Sequence, residues 1–258
     1  MIRKLKEKIR QCLPHRALES YRFLQRLHFE LNRSQIYRGS EIRKIVKENW
    51  KNYKYELYPK DRRMSVIREK QIEGMCTENI SFMINEIVRR FAKAGVYLEV
   101  GSYKGYSLIS AALFNQSTRC IGIDNFSEFD EKHKNKSILM ENLKKFDVIK
   151  NVEFYNCDYI EAFRAISQRE PGFKINVYYY DGGHSYEEQV KGLDLALPFL
   201  SKRCVIIVDD LNISPQVEGA NRHFISKNPG FKSVFRIKTT GPFTPEWLDG
   251  FEIITRGV

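Results

Sequence analysis

The stretch Val96-Tyr-Leu-Glu-Val-Gly-Ser-Tyr-Lys-Gly-Tyr-Ser107 narrows most what this chain can fold into. Its first five residues are a short apolar run that reads as a buried strand. The run breaks at a turn with a glycine at each end, Gly101-Ser-Tyr-Lys-Gly105. Leu108, Ile109, Ala111, Ala112 and Leu113 then supply the apolar face of a helix. Strand, glycine turn and helix make the first unit of a nucleotide-binding α/β sheet. Glycines there let the backbone approach a ligand closely. The spacing, Glu99-x-Gly101-x-x-x-Gly105, is not the G-x-G-x-x-G of a dinucleotide fingerprint and offers no diphosphate cradle. Alone, it also fits a strand–turn–helix of other α/β proteins, so the rest of the chain decides.

Downstream the pattern alternates. Strands are expected over 119–123, 152–155, 175–180 and 204–208. Helices are expected around 136–148, 159–168 and 217–226, and where Tyr186, Val190, Leu193 and Leu197 form a stripe. Two late strands, 233–237 and 251–255, are joined by a Gly/Pro turn without a helix. Strands alternating with helices imply a parallel sheet, and the last pair implies an antiparallel addition. Upstream, Thr77 is a helix N-cap before a stripe of Ile80, Met83, Ile84, Ile87 and Val88. The stretch 62–77 shows no clear period.

Acidic residues close four successive strands: Asp124, Asp158, Asp181 and Asp209-Asp210. Ligands of open α/β sheets bind beyond those strand ends. Asp158 could be only a helix cap, but four acids in a row exceed what capping explains. The densest signal is Tyr180-Asp-Gly-Gly-His-Ser-Tyr186 with Ile206-Ile-Val-Asp-Asp210. Neighbouring parallel strands lie about 4.8 Å apart, so these carboxylates would crowd together. A hard divalent cation relieves that repulsion, and all-oxygen ligands suit Mg²⁺ better than zinc. His184 stands three residues from the first acid. It reads either as a hydrogen-bonded structural residue or, with a cation nearby, as a general base; Asp181 is the next choice for that base.

The Glu99-x-Gly101 turn resembles motif I of class I S-adenosylmethionine (SAM)-dependent methyltransferases. The pairing of D-G-x-H-x-Y with V-D-D resembles the metal-dependent sugar O-methyltransferases of the macrocin O-methyltransferase type, in the group that includes cephalosporin-hydroxylase-like proteins. The resemblance covers residues 71–258. It implies an α/β, Rossmann-like fold, with a seven-stranded, mostly parallel sheet whose last strand is antiparallel. It implies SAM as cofactor, bound by Thr77, Glu99, Gly101, Ser102, Gly105, Ser107, Asp124 and Asp158. Asp124 would accept the ribose hydroxyls, and Glu99 would sit near the amino-acid end. Asp181, Asp209 and Asp210 would ligate Mg²⁺, with His184 and Asp181 as catalytic residues. The expected reaction is methyl transfer to a hydroxyl of a small molecule or sugar. A nucleic-acid methyltransferase and a hydroxylase-like or non-methylating relative are the alternatives. Base N-methylation calls for an Asn/Asp-Pro-Pro-aromatic turn where this chain has Asp181-Gly-Gly-His184.

Charge divides the chain. Residues 1–70 hold 20 Lys/Arg against 8 Asp/Glu, a net of +12, while the remainder holds 23 against 24. This helical, basic segment, 1–70, precedes the methyltransferase domain, 71–258, and is expected to pack on its core, since no low-complexity linker or internal repeat separates them. Residues 2–13 read as a basic amphipathic helix for a membrane surface or for docking on its own domain. Leu18, Tyr21, Leu24, Leu27 and Leu31 make a second stripe, and Ser40 caps a helix carrying Ile42 and Ile45. Tyr53, Tyr55 and Tyr58 interleave with lysines. The five cysteines are scattered without a C-x-x-C pair, which suits a reducing compartment without a zinc site. No run of about 18 apolar residues and no signal peptide stand out. The expected setting is the cytoplasm, with peripheral membrane contact. The expected partners are a small-molecule or glycan acceptor and a second copy of the chain, not nucleic acid.

Overall fold

The computed structural model describes residues 41, 42, 44, 45, 62–239, 243 and 247–258. The expectations for 2–13, for the stripe of 18–31 and for Tyr53, Tyr55 and Tyr58 lie outside those residues. Behind Ser40, residues 41, 42, 44 and 45 are helical, and Ile42 and Ile45 are fully buried.

The strands are β1 (Val96–Val100), β2 (Arg119–Ile123), β3 (Val152–Tyr155), β4 (Ile175–Tyr180), β5 (Leu200–Val208), β6 (Phe231–Ile237) and β7 (Phe251–Arg256). The helices are α1 (Arg62–Lys70), α2 (Glu78–Phe91), α3 (Tyr106–Ala112), α4 (Asn135–Lys145), α5 (Tyr159–Arg169), α6 (Tyr186–Ala196) and α7 (Pro215–Lys227). One sheet runs in the order β3-β2-β1-β4-β5-β7-β6. The pairs among β1 to β5 are parallel, and β7 lies antiparallel between β5 and β6. This is the seven-stranded, Rossmann-like sheet with an antiparallel last strand that the sequence implies.

Alternation along each strand feeds two cores. Tyr97, Cys120, Val177, Tyr179, Val205 and Ile207 join the cluster of Ile84 from α2, Ile109 from α3 and Leu139 from α4. Leu98, Ile121, Tyr178, Tyr180 and Ile206 join that of Phe163 from α5, Leu193 from α6 and Phe224 from α7. Each large apolar side chain so buried stabilises the fold by roughly 1.5–3 kcal/mol. Ile42, Ile45 and Ile67 belong to the first cluster, so these residues from the basic segment pack on the core.

Two elements differ from the sequence reading. Residues 62–70 form α1, where no period was legible. The helix is held by the burial of Ile67 and by an ion pair of Arg63 with the buried Glu86 at 2.5 Å, rather than by a repeating apolar stripe. Strand β5 starts at Leu200, not Cys204, because its polar opening Ser201-Lys-Arg203 breaks the apolar signal. The register with β4 shifts at the same place.

The ladder continues one residue past the carboxyl ends of the strands. The N–H of Gly101 donates to the Ile123 carbonyl (2.9 Å), that of Asp124 to Tyr155 (3.1 Å), that of Asp181 to Val100 (3.0 Å) and that of Asp209 to Tyr180 (3.1 Å). The acids are therefore held in a row along one edge of the sheet. Strand order reverses between β1 and β4, and the crevice there is where such sheets bind ligands.

Candidate active site

The first half of the site is the turn after β1. Gly101 has φ +88, and a Cβ on it would lie 1.9 Å from the Asp181 carbonyl oxygen. Only glycine permits that approach. Gly105, also left-handed, donates its N–H to the Ser102 carbonyl at 2.7 Å. Glu99 is fully buried and accepts from the Tyr97 hydroxyl at 2.6 Å and from Ser107 Oγ at 3.3 Å. Burial raises its pKa to about 7. Ser102 is buried, and its side chain offsets part of the burial effect on Glu99. It sits over Gly122, where a Cβ would come within 2.7 Å of it.

Three of the expected cofactor residues also serve the backbone. Asp124 accepts the N–H of Tyr103 on one oxygen and that of Phe126 on the other, each at 2.7 Å. It thereby ties the glycine turn to the loop after β2. Asp158 caps α5 by accepting the Ile160 N–H at 2.8 Å, and Thr77 caps α2 by accepting the Ile80 N–H at 3.2 Å. A carboxylate oxygen has two lone pairs, so a backbone donor leaves it room for a ligand hydroxyl.

The second half lies at the ends of β4 and β5. Asp181, His184 and Asp210 each bring one ligand atom within 4.8 Å of the others. His184 Nε2 stands 3.3 Å from Asp210 Oδ2. Asp210 reaches this position through a left-handed backbone, φ +55. Asp209 enters no such group among the described residues. It is buried, accepts the Tyr179 hydroxyl, and takes the Asp210 N–H on Oδ1 at 3.0 Å. Burial raises the pKa of all three aspartates. Repulsion from Asp209 and Asp210 adds to it for Asp181, from Asp210 for Asp209, and from Asp249 for Asp210. The cluster therefore draws protons or a cation.

His184 is set by the helix behind it. Ser185 caps α6 by accepting the Glu188 N–H at 3.2 Å, and Glu188 reaches back to the Ser185 N–H at 3.3 Å. This capping box fixes where the imidazole leaves the chain.

The polar partners of the acids were missed in the sequence. Tyr97 had a signal, standing two residues before its partner Glu99 on the same strand face, whereas Tyr179 reaches Asp209 on the neighbouring strand. Cys76 gave no such signal. Its thiol is pushed up by burial and then by the charges of Asp209, Asp181 and Glu99.

Residues 98–211 match a family described as "Methyltransferase domain". Among solved structures, an O-methyltransferase from Bacillus cereus in complex with SAH is similar at 17% identity. The match covers 83% of this chain and 99% of that one, with a TM-score of 0.59. The O-methyltransferase TomG from Streptomyces achromogenes, involved in tomaymycin synthesis and solved with SAM, is similar at 17% identity, covering 84% and 99%, with a TM-score of 0.57. No curated protein matches the chain. At these identities the solved structures speak for the fold. The segment that matches this family carries the glycine turn, Asp124, Asp181, His184 and Asp210. The match to a methyltransferase domain and the shared fold agree with the resemblance read from the sequence.

Proposed function

We propose that this chain is an O-methyltransferase that moves the methyl group of SAM to a hydroxyl of a small molecule or sugar, assisted by Mg²⁺ and with His184 as base. The observation that carries this reading is the contact between two sites. Gly101 of the glycine turn packs against the backbone of Asp181, whose carboxylate belongs to the Asp181–His184–Asp210 group. Two features of the chain fit the groups it would hold. The buried Ser102 hydroxyl beside Glu99 suits the polar amino-acid end of SAM. The carboxylates of Asp181 and Asp210 offer hard oxygen donors with the repulsion that a divalent cation removes. The neighbours solved with SAH and SAM support the same cofactor.

When bound, SAM supplies an electrophilic methyl and the cation lowers the pKa of an acceptor hydroxyl. The rest belongs to the chain. Glu99 and the Gly101–Ser102 backbone would hold the amino-acid end, and Asp124 would take the ribose hydroxyls. Thr77 and Asp158 fix the helix starts. Asp181 and Asp210 would hold the cation. His184 takes the proton of the acceptor hydroxyl, and Asp210 at 3.3 Å stabilises the resulting imidazolium. Alignment of the two reactants supplies most of the acceleration.

The test is SAH release with a panel of vicinal-diol acceptors, with and without EDTA. EDTA should abolish turnover. His184→Ala should lower kcat by about 10²–10⁴ and flatten the acid limb of the pH profile, with partial recovery at high pH. Full activity in EDTA together with a wild-type pH profile in His184→Ala would overturn the reading.

A further inference from the structure

We propose that a cavity at the amino end of β5, away from the acids that close the strands, binds a phosphate monoester through Arg89, Arg90 and Arg203. The cavity measures about 440 Å³ and is lined by Glu41, Arg89, Arg90, Phe91 and Arg203. Arg89, Arg90 and Phe91 close α2, and Arg203 lies in the polar opening of β5. Arg203 stands six residues before Asp209, about 20 Å at roughly 3.3 Å per residue. Arg89 stands twelve residues after Thr77, about 18 Å along a helix. The cavity is therefore separate from the methyl-transfer site, and its ligand does not depend on that reading.

The opening of β5 is shaped to place Arg203 there. Two steps along β4, from Ile175 to Val177, face five along β5, from Leu200 to Val205, so β5 carries three extra residues at this point. Such a bulge re-aims side chains out of the ladder. Arg203 is exposed, and its guanidinium lies 5.6 Å from the centroid of the Phe91 ring, which attracts a cation over its face. Among the described residues no carboxylate lies within ion-pair distance of it. The one carboxylate of the lining, Glu41, stands 2.7 Å from Lys44 Nζ and 3.5 Å from Arg90. Arg89 forks onto Glu86 at 3.0 and 2.7 Å, yet half of its side chain is exposed, and Glu86 is also held by Arg63 at 2.5 Å. Three guanidinium groups thus share the cavity with a single carboxylate. Guanidinium forks match phosphate oxygens two at a time. A monoester carries a charge near −2 at neutral pH, which suits three arginines better than a carboxylate does. The volume lies within the roughly 300–1,000 Å³ of small-molecule sites, so the organic part of the ester also fits, with Phe91 as its apolar wall.

The experiment uses the full chain with two probes. Calorimetric titration with glycerol 3-phosphate tests a soluble ester. Flotation with phosphatidylcholine vesicles, with and without phosphatidic acid, tests the same group on a lipid. Circular dichroism checks that each variant is folded. At least one probe should bind, more weakly as salt rises. Binding of glycerol 3-phosphate assigns the site to a soluble ester, and binding of phosphatidic acid vesicles alone assigns it to a lipid headgroup. Arg203→Gln should weaken the binding by about ten-fold, from the loss of a charge-assisted contact, and leave SAM affinity unchanged. Arg203→Lys should recover only part of it, because an ammonium lacks the fork. Glu41→Gln should tighten it by about two- to five-fold, by removing the competing carboxylate. Failure of both probes to bind the wild-type chain, or binding that Arg203→Gln leaves unchanged, would overturn the proposal and leave the methyl-transfer reading untouched. If Arg203→Gln does not fold, Glu41→Gln decides, and unchanged or weaker binding in it would overturn the proposal.

Discussion

Glu99 shows how one side chain ties stability to pH in this site. Its folded pKa of about 7 lies above the ordinary value of 4.5, because burial disfavours its charge. The folded state therefore holds this proton more tightly than the unfolded chain does. Its contribution is complete below pH 4.5 and is lost as pH rises through about 7. The ligand-free chain should become less stable over that window, by about 2–3 kcal/mol from this residue. Asp181, Asp209 and Asp210 are shifted in the same direction and add to the slope. Urea unfolding at pH 5 and pH 8 measures it. Glu99→Gln should reduce the slope, and an unchanged slope would mean that Glu99 is not the buried acid described.

At the scale of the element, α6 is the part that aims the chemistry. Removing its cap with Ser185→Ala should cost about 1 kcal/mol in unfolding free energy, the usual size for a lost N-cap. It should also lower kcat further than the small change in stability explains, since His184 immediately precedes the cap. Ser214 caps α7 by accepting the Gln216 N–H at 3.1 Å, and the matched loss there, Ser214→Ala, should leave kcat nearly unchanged. Elements of this kind were largely legible in the sequence. Alternating apolar runs, Thr77, and acids at strand ends mark β1 to β4 and α2 closely, because burial on two faces writes near-continuous apolar strands. What was not legible rests on contacts between distant segments. Helix α1 depends on Arg63 reaching Glu86, and the opening of β5 is masked by Lys202 and Arg203. In the site, composition and order named Asp181, His184 and Asp210. They did not reveal that Tyr179 reaches Asp209 from the next strand, since a cross-strand hydroxyl leaves no trace in linear spacing.

Over the whole molecule, the basic excess sits in residues 1–70, and the sheet domain is near neutrality. No helix among the described residues is long and apolar enough to cross a membrane. Among the described residues of the basic segment, Ile42, Ile45 and Ile67 are shared with the core of the domain. The widest consequence comes from the glycine pressed on a neighbouring strand end. With Gly101 and the Asp181 backbone in contact, the loop that would receive SAM and the strand end that would receive a cation cannot shift independently. Occupation of either place should bias the other. Thermodynamic reciprocity then makes the two biases equal: the factor by which Mg²⁺ changes the SAM dissociation constant is the factor by which SAM changes that of Mg²⁺. Calorimetric titrations in both orders should close that cycle with a factor well away from one. A factor of one would mean that this backbone contact transmits nothing between the two halves of the site.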